Sequence, residues 1–165
     1  MKRGQMKLSF GMIFSIILII VFLTFAFYVI KLLLQSQSQS KVLIFKEDLE
    51  NDIDKIWRGS GSLRDPDGYK LPRKVELACF IDFSAPSRGD NQDLFIKLRQ
   101  VYYEFENLIF YPIGSAQGLN AVEIKHINIE NITRKENPYC IENIDGKVIL
   151  TIKRDYGEEG VIIER

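Results

Sequence analysis

Cys79, Cys140 and His126 are the side chains of this sequence best suited to metal ligation or redox chemistry. Two cysteines are too few for a four-cysteine zinc site, and no local ligand spacing joins them to the single histidine. The pair could instead close one disulfide, a bond that persists in an oxidising compartment. Cys79 falls on the apolar side of an alternating stretch, as a small buried hydrophobe would. The side taken by Cys140 depends on a hairpin register. A two-residue turn at Asp145–Gly146 sets Cys140 opposite Thr151, whereas a bulged turn sets it beside Leu150, and both registers stay open. His126 on a half-apolar stretch reads as structural. No Ser, His, Asp order and no Cys, His pair comes with a recognisable motif. Glu158–Glu159 lies in turn-like sequence where both carboxylates would be solvated. "GSAQG", residues 114–118, lacks the Lys and Ser/Thr of a phosphate loop. No catalytic, cofactor-binding or metal-ligating residue is assigned, and an enzyme is not expected. Asn131-Ile132-Thr133 forms a glycosylation sequon, compatible with an exposed outer loop, which makes Asn131 a candidate site.

The charge balance narrows the partners. All charges among the first 31 residues are basic, namely Lys2, Arg3, Lys7 and Lys31. Residues 32–165 then hold 18 basic against 22 acidic side chains, about −4. Nucleic acid is not the expected partner.

The elements that must position these groups begin with an apolar run. From Leu8 to Ile30 the chain has 23 residues without a charge. At a helical rise of about 1.5 Å per residue they reach roughly 35 Å, enough for a hydrocarbon core of about 30 Å. The run exceeds the apolar core of a cleaved secretory signal and is apolar on all sides, so a transmembrane helix over residues 8–34 is expected. Lys2, Arg3 and Lys7 outweigh Lys31 and Lys41, which puts a basic leader, residues 1–7, in the cytoplasm and the remainder outside. "QSQSQS", residues 35–40, continues as a stem into an amphipathic helix ending near Arg58. There Val42, Phe45, Leu49, Ile53 and Ile56 recur at spacings of three and four, on one face. Gly59 is a plausible stop.

Residues 59–165 read as an extracytoplasmic α+β domain. "GSGSLRDPDGYKLP" is turn chemistry and is expected as an exposed loop. Alternation from Val75 to Phe83 predicts a strand, with Val75, Leu77, Cys79, Ile81 and Phe83 on its buried side. Asn91 or Asp90 would cap a helix through Leu94, Leu98, Val101 and Tyr102. "NLIFYPIG" and "AVEIKHINIE" predict further strands. "NPYCIENIDGKVILTIKRD" predicts a hairpin about Asp145–Gly146, and "VIIE" a last strand. The expected fold is a long N-terminal helix, a small antiparallel sheet of about four or five strands covered by the Val42–Ile53 stripe, and one further helix. The dense aromatics of "VYYEFENLIFYP" would pack that core, or else present an exposed patch to a neighbouring subunit.

"KRGQ" followed by "LSFGMIFSIILIIVFLTFAF" resembles the leaders of archaeal pilin-like proteins with class III signal peptides. That resemblance implies cleavage between Gly4 and Gln5, and a mature apolar helix that leaves the bilayer to bundle with its copies. Over nearly its whole length, in "ELACFIDFS", "NQDLFIKL" and "NPYCIENIDGKVILTIKRD", the chain also resembles an uncharacterised family of small archaeal membrane proteins with no assigned activity. The expectation is therefore a single-pass surface protein of the cell membrane, a pilin-like assembly subunit, or a permanently anchored accessory module of an envelope complex. Its partners would be membrane lipid, copies of itself or other envelope proteins.

Overall fold

The computed structural model describes residues 10–165, with Gln35 described in its backbone alone. The basic leader and the Gly4–Gln5 junction lie outside the described residues. The chain divides into two compact units, residues 1–37 and 38–165.

Helix α1, Phe10–Arg58, is continuous through the Ser/Gln tract. In the first unit two hydroxyls of the apolar run, those of Ser15 and Thr24, fold back on the helix. Ser15 donates to the Gly11 carbonyl and Thr24 to the Ile20 carbonyl, each at 2.8 Å, so neither leaves a donor unpaired in an apolar surround.

In the second unit α1 supplies the face its spacing predicts. Val42, Phe45, Leu49 and Ile53 are fully buried, and Ile56 nearly so. The opposite side is charged, with Lys46 and Glu50 paired at 2.9 Å one turn apart. Arg154 finishes the helix: its guanidinium donates to the carbonyls of Trp57 and Gly59, placing a cation where the helix dipole is negative.

The strands number nine in two antiparallel sheets among the described residues, more than the four or five expected. The larger sheet has the order β2 (Tyr69–Lys70), β7 (Lys147–Val148), β6 (Tyr139–Ile144), β3 (Leu77–Phe80), β4 (Leu108–Tyr111), β5 (Ala121–Val122). The smaller has the order β1 (Gly61–Arg64), β8 (Thr151–Arg154), β9 (Ile162–Glu164). Two short helices, α2 (Gln92–Arg99) and α3 (Ile129–Ile132), replace the single further helix of the expectation.

Two differences account for the added strands, and a third shortens an expected one. The expected loop "GSGSLRDPDGYKLP" contains β1 and β2, edge strands whose mostly polar residues need only one paired side. The Asp145–Gly146 hairpin has its two-residue turn, with Asp145 at φ 55° and Gly146 at φ 87°. It pairs only Ile144 with Lys147 and Asn143 with Val148, and the chain then leaves for the smaller sheet. Lastly, "AVEIKHINIE" forms strand only at β5. His126 takes φ 64°, which interrupts the alternation, and α3 follows.

β3 is buried on both faces. Ala78 and Phe80 join Leu108, Phe110 and Ile141 beneath the α1 stripe, where Phe45 meets the Tyr69 and Phe110 rings edge-on at 5.8 and 5.6 Å. On the other side, beyond β3, Ile81 and Phe83 join Ile109 of β4 and pack with Phe95 and Leu98 of α2. The α1 stripe therefore covers the Ala78/Phe80 side rather than the Cys79/Ile81 side read as the buried one. Asn91 precedes α2 but makes no capping bond through its side chain.

Candidate functional site

Cys79 and Cys140 face each other directly across the β3–β6 ladder and are joined as a disulfide, with both side chains buried. The register that decides this is that of β6 on β3. The two-residue turn holds at Asp145–Gly146, but the ladder it starts does not reach Cys140, because β8 does not pair with β6. The bond ties the two central strands of the larger sheet, and no free thiol remains for nucleophilic or metal chemistry.

His126 is far from a ligand set. Its ring stacks on Trp57 at 3.8 Å between centroids, and its Nε2 lies 3.7 Å from Asp54 Oδ1. It joins the end of α1 to the segment after β5. Among the described residues no group of three or more His, Cys, Asp or Glu side chains is placed to hold a metal.

The sequon is not on an exposed loop. Asn131 is half-buried within α3, while Thr133 is buried and donates its hydroxyl to the Ile129 carbonyl at 2.8 Å. The "GSAQG" segment is a turn held by Ala116, whose N–H donates to Asn120 Oδ1 at 3.0 Å. Of the Glu158–Glu159 pair, Glu158 serves through its backbone, its carbonyl accepting from Arg154.

Four asparagines, unflagged by the sequence reading, hold the loops by imitating peptide groups. Asn107 accepts from the Ile124 N–H at 2.7 Å and donates to the Ile124 carbonyl at 2.8 Å. Asn143 donates to the carbonyls of Pro72 and Val75. Asn120 holds Ala116 as described. Asn137 is fully buried: its Oδ1 accepts from Asp82 N–H, and its Nδ2 donates to the carbonyls of Asp82 and Pro86. The Asn-Pro dipeptide at 137–138 was the one local signal, and it reads equally as an ordinary turn. The buried Tyr69 hydroxyl donates to Asp52 Oδ2 at 2.7 Å. Burial first, and then the Asp52 carboxylate, push its phenol well above the ordinary tyrosine range.

Two surfaces expose large apolar side chains in clusters among the described residues. One is the first unit's helix, long and apolar enough to cross a membrane, with Phe22 67% and Phe27 71% exposed among apolar neighbours on every side. The other follows α2. "VYYEFENLIFYP" divides, with Leu108, Ile109 and Phe110 buried while Tyr103 and Phe105 stand 70% and 67% exposed, stacked at 5.9 Å and 6°. Compared with family models, with curated proteins and with solved structures, the chain matches none.

Proposed function

We propose that the protein is a single-pass membrane-anchored surface protein with a structural role, a pilin-like assembly subunit whose apolar helix is the element of assembly. The observation that carries this reading is the apolar surface of α1 from Phe10 to Leu34, exposed all round. Such a surface is unstable in water and satisfied either by lipid or by the same helix of other copies. The basic residues Lys2, Arg3 and Lys7 favour a cytoplasmic N-terminus, and the Cys79–Cys140 bond suits an oxidising exterior. The "KRGQ" junction supports cleavage between Gly4 and Gln5.

Mass spectrometry of the N-terminus of protein isolated from native envelopes tests the reading. A chain starting at Gln5 supports processing and assembly. A chain retaining Lys2 and Arg3 is a permanent anchor. That second reading, an accessory module of an envelope complex, is favoured by the exposed Tyr103–Phe105 stack, which offers rigid aromatic area to a partner. Replacing residues 8–34 by an unrelated apolar span separates the two: assembly is abolished if the helix is the assembly element, and unchanged assembly refutes that role.

A further inference from the structure

The second unit is charged unevenly. Lys41 and Ile44 of α1, Lys70 of β2, Arg73 just after it, and Lys147 at the Asp145–Gly146 turn line one groove. All four cations are exposed, and Ile44 is 52% exposed between them. Asp145 is the one acid in the lining. It approaches Arg73 only at 4.0 Å, and Asp67, outside the lining, approaches Lys147 at 3.9 Å; all four side chains are open to solvent, so both pairs are weak and leave the cations available to a stronger anion. Without these four cations, residues 32–165 hold 14 basic against 22 acidic side chains. The groove is a positive spot on a unit of net negative charge, bordered past Lys70 by Asp65 and Asp67. Farther along α1 the sign reverses, with Glu47, Asp48, Glu50, Asp52 and Asp54 following Lys46.

Two of the segments that carry the cations are also joined by their backbones. Leu71 N–H donates to the Gly146 carbonyl at 2.9 Å, which clamps the hairpin tip to the segment that carries Lys70 and Arg73. A Cβ on Gly146 would come within 3.1 Å of the Leu71 carbonyl oxygen, so the two segments are in close contact. Exposed Ile144 extends the surface on the far side of Lys147. Cations interspersed with exposed aliphatic side chains match the boundary between headgroups and acyl chains.

We propose that this groove binds the anionic headgroups of the membrane that carries the chain. The proposal rests on the reading of α1 as membrane-spanning. Lys41 follows the end of the apolar run by seven residues, so the chain itself keeps it within about 25 Å of that end at full extension. Tethering at that range gives the groove a high effective concentration of headgroups, and each weak, screened contact then counts. The acidic stretch from Glu47 to Asp54 disfavours approach of that part of α1 to an anionic surface.

The test uses the full chain in nanodiscs, either of neutral phosphatidylcholine or with about one third phosphatidylglycerol, with amine labelling of lysines read by mass spectrometry at low salt. Lys41, Lys70 and Lys147 should label about threefold more slowly in the anionic discs, and high salt should erase the difference. Lys97 and Lys135, exposed elsewhere, are the internal reference. The combined Lys70→Gln, Arg73→Gln variant, at two exposed positions, should lose the protection of Lys41 and Lys147. Equal labelling in both discs overturns the proposal. Protection by inorganic phosphate in neutral discs also overturns it, in favour of a free-anion site. Extraction of the chain from vesicles by alkaline carbonate would refute the spanning reading itself, a separate outcome from equal labelling of an embedded chain.

Discussion

Without the Asn137 amide, the Asp82 N–H and carbonyl would lose their partner beside a side chain that has no exposure to water. Orphaned buried groups cost about 1 to 3 kcal/mol each, so Asn137→Ala should destabilise the second unit by roughly 3 kcal/mol. Asn137→Asp should do at least as much harm, because it turns a carboxylate toward the Asp82 and Pro86 carbonyls. Trp57 is the only tryptophan, so its fluorescence follows denaturant unfolding in both variants; an unchanged midpoint would refute the role. Tyr69 makes a different residue-scale prediction. An unfolded tyrosine loses its proton near pH 10, whereas folded Tyr69 keeps its proton well above that. Above pH 10 the unfolded state binds fewer protons than the folded one, so stability falls as pH rises, by up to about 1.4 kcal/mol per pH unit for this group. Tyr69→Phe should flatten that alkaline loss while lowering neutral stability by about 1 kcal/mol through the Asp52 bond. Melting temperatures of both proteins between pH 8 and about pH 11 decide it.

The disulfide acts between elements, linking β3 to β6 at a sequence separation of 61. Closing a loop of that size restricts the unfolded chain by about 4 kcal/mol in the chain-entropy account. The Cys79→Ala, Cys140→Ala variant should therefore fold with its sheet intact and unfold at a markedly lower urea concentration. Equal midpoints would show that the ladder alone holds these strands. The same pair marks the limit of what local pattern can reveal. Apolar spacing in the Val42–Ile56 stretch identifies the buried side of α1, because helical periodicity is a property of one segment. Cys140 needs the pairing of β6 with β3, a relation between distant segments to which the Asp145–Gly146 turn contributes nothing. β1 and β2 escape for another reason: as edge strands they carry turn-like, polar residues and show no alternation to read. His126 at positive φ cut a convincing alternating stretch short, and nothing in its neighbours announced it. The burial of Thr133 follows from its place at the C-terminal end of α3, which the triplet itself does not show.

At the scale of the molecule, the composition boundary and the folding boundary differ. The apolar run and the Ser/Gln tract suggest a domain beginning near residue 59, after the amphipathic helix, whereas the compact unit begins at Ser38. Energetics explain the difference. Val42, Phe45, Leu49, Ile53 and Ile56 are all buried in the core, and full burial of such a side chain contributes about 1.5 to 3 kcal/mol. Five of them together supply roughly 10 kcal/mol, as much as the whole net stability of an ordinary domain. Arg154 and His126 also hold this end of α1, through the Trp57 carbonyl and the Trp57 ring. The latter half of α1 is therefore core, as indispensable to the sheets as any strand. A fragment of residues 38–165 should be monomeric in water, with a cooperative melt and Trp57 emission characteristic of a packed indole. A fragment of residues 59–165 should lack any cooperative transition and bind hydrophobic dyes. If the shorter fragment melted cooperatively, the sheets would carry their own core and α1 would be a removable cover. If the longer one failed, the apolar run would be part of the fold, and its exposed surface could no longer be read as the part reserved for lipid or for other copies.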